Sequence, residues 1–140
     1  MRDILFRGKN VNSGEWVYGN LYIGDDKNKH LILTGRENYR VSYNVIPETI
    51  GQFTGLMDRN GEYIFEGDVI RAHYNNNVDY IERVVFHNGM FCGLYAPSYK
   101  FRRYSVLADG DPHLPFYMEW CEVIGNIHDN PRLIKTNEDE

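Results

Sequence analysis

The chain has little cysteine, with only Cys92 and Cys121 among 140 residues. Two cysteines so far apart provide neither a disulfide framework nor the paired spacing of a zinc site. The start of the sequence has no apolar core long enough for a signal peptide, and no later run approaches the roughly 20 apolar residues of a membrane span. These absences predict reduced thiols, a cytoplasmic location and no membrane partner.

An excess of basic residues is also missing. The sequence contains 15 Lys and Arg against 20 Asp and Glu, which gives a formal charge of −5 at pH 7. Proteins that wrap duplex nucleic acid rely on clustered Lys and Arg to neutralise phosphates. The composition therefore disfavours nucleic acid as a partner, without excluding a local basic site.

Residues that could carry catalysis or bind a metal do not fall into a recognisable pattern. The five histidines share no ligand spacing, and zinc needs three or four converging ligands. A cluster such as His73, His87 and Asp68 could form only if neighbouring strands bring these residues together; surface or half-buried strand histidines are the favoured interpretation. Glu66 and Asp68 flank Gly67, which predicts a turn rather than an acid–base pair. The serines lie in loop-like sequence without a nucleophile-elbow motif, and neither cysteine has a nearby basic partner, so we predict no enzyme, no cofactor and no catalytic or metal-binding residues.

Helical periodicity is nearly absent, and short apolar and aromatic runs alternate with Gly, Asn and Asp. The chain is 14% aromatic and includes 11 Tyr, a residue that suits sheets with one solvated face. The pattern predicts a mainly β protein with antiparallel sheets. Gly35 to Asn44 is predicted to be a loop. The predicted strands cover residues 4–7, 16–23, 30–34, 50–54, 62–65, 69–74, 80–87, 90–95 and 122–127.

Turn signals define several details of this prediction. Asn88-Gly89 is the preferred pair for a type I′ hairpin, and counting outward places Phe86 opposite Phe91 and Val85 opposite Cys92. Cys92 is therefore expected to be a small packed side chain. The tetrapeptide 58–61 suits a turn that ends with a glycine in the left-handed region.

Two further features are predicted from single residues. Gly19 inside a strand indicates a bulge or a close approach of another backbone segment. Pro131 is expected to begin a short helical turn near the end of the chain, with Asn130 able to cap it.

One basic and aromatic cluster predicts a ligand. Aromatic rings stack on bases and Lys or Arg side chains hold phosphates when open β-structures bind single strands. The residues that could do this are Tyr99, Lys100, Phe101, Arg102, Arg103 and Tyr104, which we name the 99–104 cluster. Arg71 and Arg83 are expected to join this cluster from adjacent strands.

Three segments make the chain similar to a known family. The opening MRDILFRGKN followed by SGEWVYG, the central VIPETIGQFTGLMDRNGEYIFEGDVI and the closing CEVIGNIHDNPRLI resemble the YopX family, small proteins of bacteriophages and prophages. The resemblance covers residues 1–134 and is loose over 75–115. It implies a mainly β fold with a barrel-like portion after Glu66-Gly67-Asp68, and it supplies no catalytic residues. The cytoplasm of a bacterial host is the implied location.

These observations lead to one main expectation and one alternative. We expect an N-terminal β module at residues 1–60, packed on an SH3-like or partly open β-barrel at residues 61–140. The expected function is that of a non-enzymatic phage or prophage accessory protein that binds an unidentified phage or host protein. Homo-oligomers are also expected, because aromatic residues and sheet edges favour self-association. The alternative is a single-stranded nucleic-acid-binding protein that uses the 99–104 cluster.

Overall fold

The structure is a computed structural model that describes residues 3–26, 28–36, 39–73, 78–98, 101–107 and 120–134. Strands dominate these residues, and the helical elements are two short 3₁₀ turns, η1 (Pro47–Thr49) and η2 (Pro131–Ile134). The strands are β1 (Phe6–Lys9), β2 (Trp16–Ile23), β3 (His30–Arg36), β4 (Tyr39–Asn44), β5 (Gly51–Met57), β6 (Tyr63–Phe65), β7 (Asp68–His73), β8 (Asp79–His87), β9 (Met90–Ser98), β10 (Phe101–Val106) and β11 (Cys121–Asn126).

The prediction of a mainly β protein with antiparallel sheets is confirmed. The strands form one sheet of six and one of five, and every described strand pair is antiparallel. The five-stranded sheet has the order β10-β9-β8-β7-β11 and is not closed into a barrel. The barrel expectation is corrected to an open sheet with β10 and β11 on its outside, whereas an SH3-like character stays a prediction.

The chain divides into two compact units between Phe53 and Thr54, inside β5. Unit 1 (residues 1–53) contains neighbouring strands in the order β4-β3-β2-β1, with the start of β5 beside β1. Two backbone hydrogen bonds show that the sheet curls: the N–H of Val11 donates to the Asn44 carbonyl, and the N–H of Ile46 donates to the Lys9 carbonyl. This brings the end of β1 to the end of β4.

Unit 1 packs its small core around two glycines. Ile32 and Val45 are buried, and a Cβ placed on Gly8 would lie only 3.0 Å from the Val45 Cβ. A Cβ on Gly19 would lie 2.0 Å from the carbonyl oxygen of Leu33. The predicted close backbone approach at Gly19 is therefore confirmed, and it explains why β2 tolerates a glycine at its centre.

Unit 2 (residues 54–140) buries a cluster on one face of its five-stranded sheet. Apolar side chains from six strands, and from two residues just outside strands, converge there and exclude water, which is the main driving force for this part of the fold. The buried members are Ile64, Ile70, Val84, Leu107 and Cys121, with Leu56, Phe91, Trp120 and Val123 packed against them.

The β8–β9 hairpin has the predicted register. Phe86 lies opposite Phe91, and Val85 lies opposite Cys92, which is buried as expected. Asn88 has φ 51° and Gly89 has φ 81°, the positive values that a type I′ turn requires at both positions.

The turn between β5 and β6 is built around a buried carboxylate. Gly61 has φ 80°, as predicted, and its N–H donates to the carbonyl of Asp58. The Asp58 side chain accepts N–H groups from Asn60 and Glu62 at one oxygen and from Val123 at the other, at 2.8–2.9 Å. The Glu66–Asp68 segment also forms the predicted turn, in which the Asp68 carboxylate accepts the N–H of Phe65.

Two sequence predictions of local structure are wrong. The predicted loop at 35–44 contains β4, an outer strand with both faces largely exposed, so its sequence lacks the apolar alternation of a half-buried strand. Asn130 does not cap η2 with its side chain. Its amide oxygen instead accepts the N–H of Asn126, which closes the turn that follows β11.

Candidate binding surfaces

The 99–104 cluster does not form one continuous surface among its described members. Tyr99 and Lys100 lie outside the described residues. Arg103 pairs across the strands with Tyr95, and Tyr104 pairs with Leu94, so alternation places Arg103 and Tyr104 on opposite faces of the sheet. Phe101 and Arg102 are exposed, and the strand register shifts between Phe101 and Arg103.

Arg103 is held by a buried carboxylate and two aromatic rings. Its Nη2 lies 3.5 Å from the Oε2 of Glu82, whose side chain is completely buried. The guanidinium carbon lies 4.4 Å from the Tyr80 ring centroid and 5.2 Å from that of Tyr95. Because the Glu82 carboxylate is buried, loss of Arg103 is expected to destabilise the sheet. About 38% of the Arg103 side chain is exposed.

The two arginines expected to join the cluster lie on the face that carries Tyr104. Arg83 aligns with Leu94 across β8 and β9, and Leu94 aligns with Tyr104, which makes one row across the sheet. Arg71 forms an ion pair with Glu122 of β11 at 2.8 Å. The structure therefore groups Arg71, Arg83 and Tyr104 on one face and places Arg103 on the other.

A second aromatic and basic surface, absent from the sequence predictions, lies in unit 1. Lys9 faces Trp16 and Arg7 faces Tyr18 across β1 and β2, so these four side chains share one face. The Arg7 guanidinium carbon lies 4.6 Å from the Trp16 ring centroid, and the Lys9 Nζ lies 5.4 Å from it. Alternation adds Tyr22 to this surface, which we name the β1–β2 face.

The members of the β1–β2 face differ in their exposure. Arg7 is buried beneath the surface and packs against Trp16, which it helps to hold in place. Tyr18 and Tyr22 are 46% and 49% exposed, and Lys9 is partly exposed. The rings of the two tyrosines are thus accessible to a ligand, whereas Trp16 already contacts two cations.

The strands that carry this face contain no carboxylate. β1, β2, β3 and β4 include Arg7, Lys9, Arg36 and Arg40 but no Asp or Glu. By register, Arg40 lies opposite Gly35 on the side of the sheet that carries the β1–β2 face. Acidic residues flank these strands in the sequence, at Asp3, Glu15, Asp25, Asp26, Glu37 and Glu48. The alternation W-x-Y-x-x-x-Y in β2 is the sequence signal that could have revealed this surface.

The histidines named as metal candidates make other contacts. The Nδ1 of His73 contacts the carboxylate of Asp79, and His87 stacks on Tyr104 with ring centroids 3.8 Å apart. Across the ranges that the structure describes, no three His, Cys, Asp or Glu side chains are placed to hold a metal ion. In the same ranges no helix has the length and apolar character needed to cross a membrane.

Both thiols are buried and reduced. Burial raises the pKa of Cys121 to about 12, with a further contribution from the negative charges of Asp58, Glu82 and Glu122. Burial also raises the pKa of Cys92. Because the thiolate is the reactive form, this geometry makes both cysteines poor nucleophiles.

Comparisons with known proteins agree with the architecture. A comparison with curated protein sequences found no match. Among solved structures, the crystal structure of protein EF1440 from Enterococcus faecalis is similar, with a TM-score of 0.55 and 22% sequence identity. The similarity covers 96% of this chain and 100% of that one, and at this identity it bears on the fold alone. The model of the YopX protein family matches residues 5–135, and the chain therefore belongs to the YopX family.

Proposed function

We propose that this protein is a non-enzymatic accessory protein of a bacteriophage or prophage that binds a macromolecular partner through the β1–β2 face. The observation that carries the proposal is the exposure of Tyr18 and Tyr22 beside Lys9 on one side of unit 1. Membership of the YopX family supports the phage setting. The proposed place of action is the cytoplasm of the bacterial host.

The chemistry of the face suits binding better than catalysis. Tyrosine and tryptophan bury a large area while losing little side-chain entropy, and they are enriched at the centres of interfaces. The buried Arg7 packs on the ring of Trp16, so this part of the surface is organised before a partner arrives. A preorganised aromatic surface lowers the entropic cost of association.

Site-specific photo-crosslinking tests this proposal. A photoreactive phenylalanine analogue replaces Tyr22 in one protein and Tyr63, an equally exposed tyrosine of β6, in a matched control. Irradiation of host cells is expected to yield a defined adduct from position 22 and none of the same mass from position 63. Equal labelling at both positions, or no adduct at position 22, contradicts the proposed surface.

The protein is further proposed to form homo-oligomers through β4. This strand is at the outside of its sheet, and Tyr39 is 78% exposed. Outer strands with exposed apolar side chains are templates for pairing with another chain. Sedimentation velocity across the micromolar range is expected to show a concentration-dependent mass that Tyr39→Ser with Val41→Ser reduces. A constant monomer mass for the unmodified protein contradicts this part of the proposal.

A second candidate function is binding of single-stranded nucleic acid at the 99–104 cluster. The exposure of Phe101 and Arg102 on the outer strand β10 favours it. Retardation of single-stranded oligonucleotides is then expected to weaken with salt and with Arg102→Ala plus Arg103→Ala. Because Arg103→Ala also removes a partner of the buried Glu82, Phe101→Ser with Arg102→Ala is the cleaner variant. Indifference to both DNA and RNA at low salt rules this candidate out.

A further inference from the structure

We infer that the partner of the β1–β2 face is a single-stranded nucleic acid, whose bases stack on Tyr18 and Tyr22 and whose phosphates contact Lys9 and Arg40. This inference rests on the proposed function, because it names the partner of the same surface. It assigns the ligand to unit 1 rather than to the 99–104 cluster.

The two exposed rings are far enough apart to bind separate bases. Tyr18 and Tyr22 lie on one side of β2, four residues apart. Four residues of a strand span about 13 Å, so each ring can receive its own base without crowding the other. Stacking tolerates any base because each base has a π face, which predicts weak sequence preference.

The charges near the β1–β2 face favour a polyanionic ligand over a neutral or cationic one. The cations Lys9 and Arg40 lie on the side that carries the exposed tyrosines, and strands β1 to β4 contain no carboxylate. Residues 1–53 hold seven Lys and Arg and six Asp and Glu, whereas residues 54–140 hold eight and fourteen. The acidic excess of the chain is therefore confined to unit 2.

Arg7 has a different role from Lys9 on this face. Its buried guanidinium lies on the same face as Trp16, packs on that ring and adds positive charge to the face. Lys9, which is partly exposed and also approaches Trp16, can turn outward toward a phosphate. One cation thus positions the ring and the other contacts the ligand.

Fluorescence anisotropy with labelled single strands of about 15 nucleotides, both oligo-dT and oligo-U, tests the inference at low salt. Tyr18→Ser with Tyr22→Ser is expected to weaken binding about tenfold or more, because each stacked ring contributes substantially. Lys9→Gln with Arg40→Gln is expected to lower the slope of log affinity against log salt by about 0.7 for each phosphate that is no longer neutralised. Tyr63→Ser, an equally exposed tyrosine in unit 2, is expected to bind like the unmodified protein.

The outcomes separate this inference from the two proposals above. Binding that survives the Tyr18 and Tyr22 substitutions but is abolished in Phe101→Ser with Arg102→Ala overturns the inference and assigns the ligand to the 99–104 cluster. No binding of either oligonucleotide, together with a protein adduct from position 22, overturns the inference and leaves the proposed function standing. No binding and no adduct contradict both. Circular dichroism of each variant confirms that loss of binding is not loss of folding.

Discussion

At the scale of single residues, unit 2 uses its buried carboxylates as structural links. Asp58, Asp68 and Glu82 are almost inaccessible to solvent, and each accepts or pairs with a specific donor. A buried carboxylate without partners is costly, so these contacts constrain the backbone around them. Two of the three, Asp58 and Asp68, lie in the segment 45–71 that resembles the YopX family. Their roles in turns give a structural reason for the presence of these residues in that segment.

Substitution of Asp58 tests this role. Asp58→Ala leaves three backbone N–H groups without an acceptor, and we expect a loss of about 3 kcal/mol or more in the free energy of unfolding. Asp58→Asn keeps one amide oxygen and is expected to lose roughly half as much. Urea denaturation measures both. Stability of the alanine variant within about 0.5 kcal/mol of the unmodified protein contradicts the structural role.

The pH dependence of stability tests the burial of Cys121. Its pKa rises from an ordinary 9.0 to about 12 in the folded protein, so between these values the folded state holds a proton that the unfolded state has released. Stability is then expected to fall as the pH is raised from 9 toward 12, and to be unaffected by this thiol below pH 9. Urea denaturation across that range measures the slope.

Cys121→Ala is the control for this measurement, because it removes the thiol while retaining the tyrosines that also ionise in alkali. We expect the variant to be less stable overall and to show a shallower decline with rising pH. Identical slopes for the two proteins contradict the assigned burial of the thiol.

At the scale of elements, the sequence predicted best where burial or turn geometry leaves a pattern. The β8–β9 hairpin was predictable because Asn88-Gly89 determines the turn and the turn determines the register. β4 was missed because its faces are exposed, and propensity alone does not separate such a strand from a loop. The β1–β2 face was missed because it depends on which strands are neighbours, which a single sequence does not state.

Gly93 of β9 tests how tightly the strands of unit 2 pack. A Cβ at this position would lie 2.1 Å from the Oε1 of Glu82, whose side chain is fully buried and cannot move into solvent. We expect Gly93→Ala to lower the free energy of unfolding by about 1–3 kcal/mol. Urea denaturation measures this loss.

A double-mutant cycle with Glu82→Ala provides the control. If the clash is the cause, Gly93→Ala costs less in the Glu82→Ala background than in the unmodified protein. Equal costs in both backgrounds contradict the clash as the cause.

At the scale of the whole molecule, the two units differ in charge and in how fully their strands are covered. Val69, Ile70 and Ala72 of β7 are inaccessible, and β7 has neighbours on both sides. β4 of unit 1 is an outer strand with exposed side chains. Local opening is expected to follow this difference, because few buried contacts oppose it in β4.

Hydrogen–deuterium exchange measures that difference. In dilute protein, amides of residues 39–44 are expected to exchange much faster than those of residues 68–73. Raising the protein concentration is expected to slow exchange in 39–44 alone if β4 pairs with a second copy. Slow exchange in both segments at every concentration contradicts the distinction drawn between these strands.

The carboxylate of Asp58 also has a consequence for synthesis. Its second oxygen accepts a hydrogen bond from the backbone N–H of Val123, and the backbone N–H of Arg59 donates to the carbonyl of Cys121. The turn between β5 and β6 therefore depends on residues more than 60 positions later in the sequence. When residue 60 has emerged from the ribosome, the turn has been synthesised, but Cys121 and Val123, which it contacts, have not. Unit 2 can therefore complete its sheet only after nearly the whole sequence has emerged, and a prematurely terminated chain leaves both the turn and the outer side of β7 open to proteolysis.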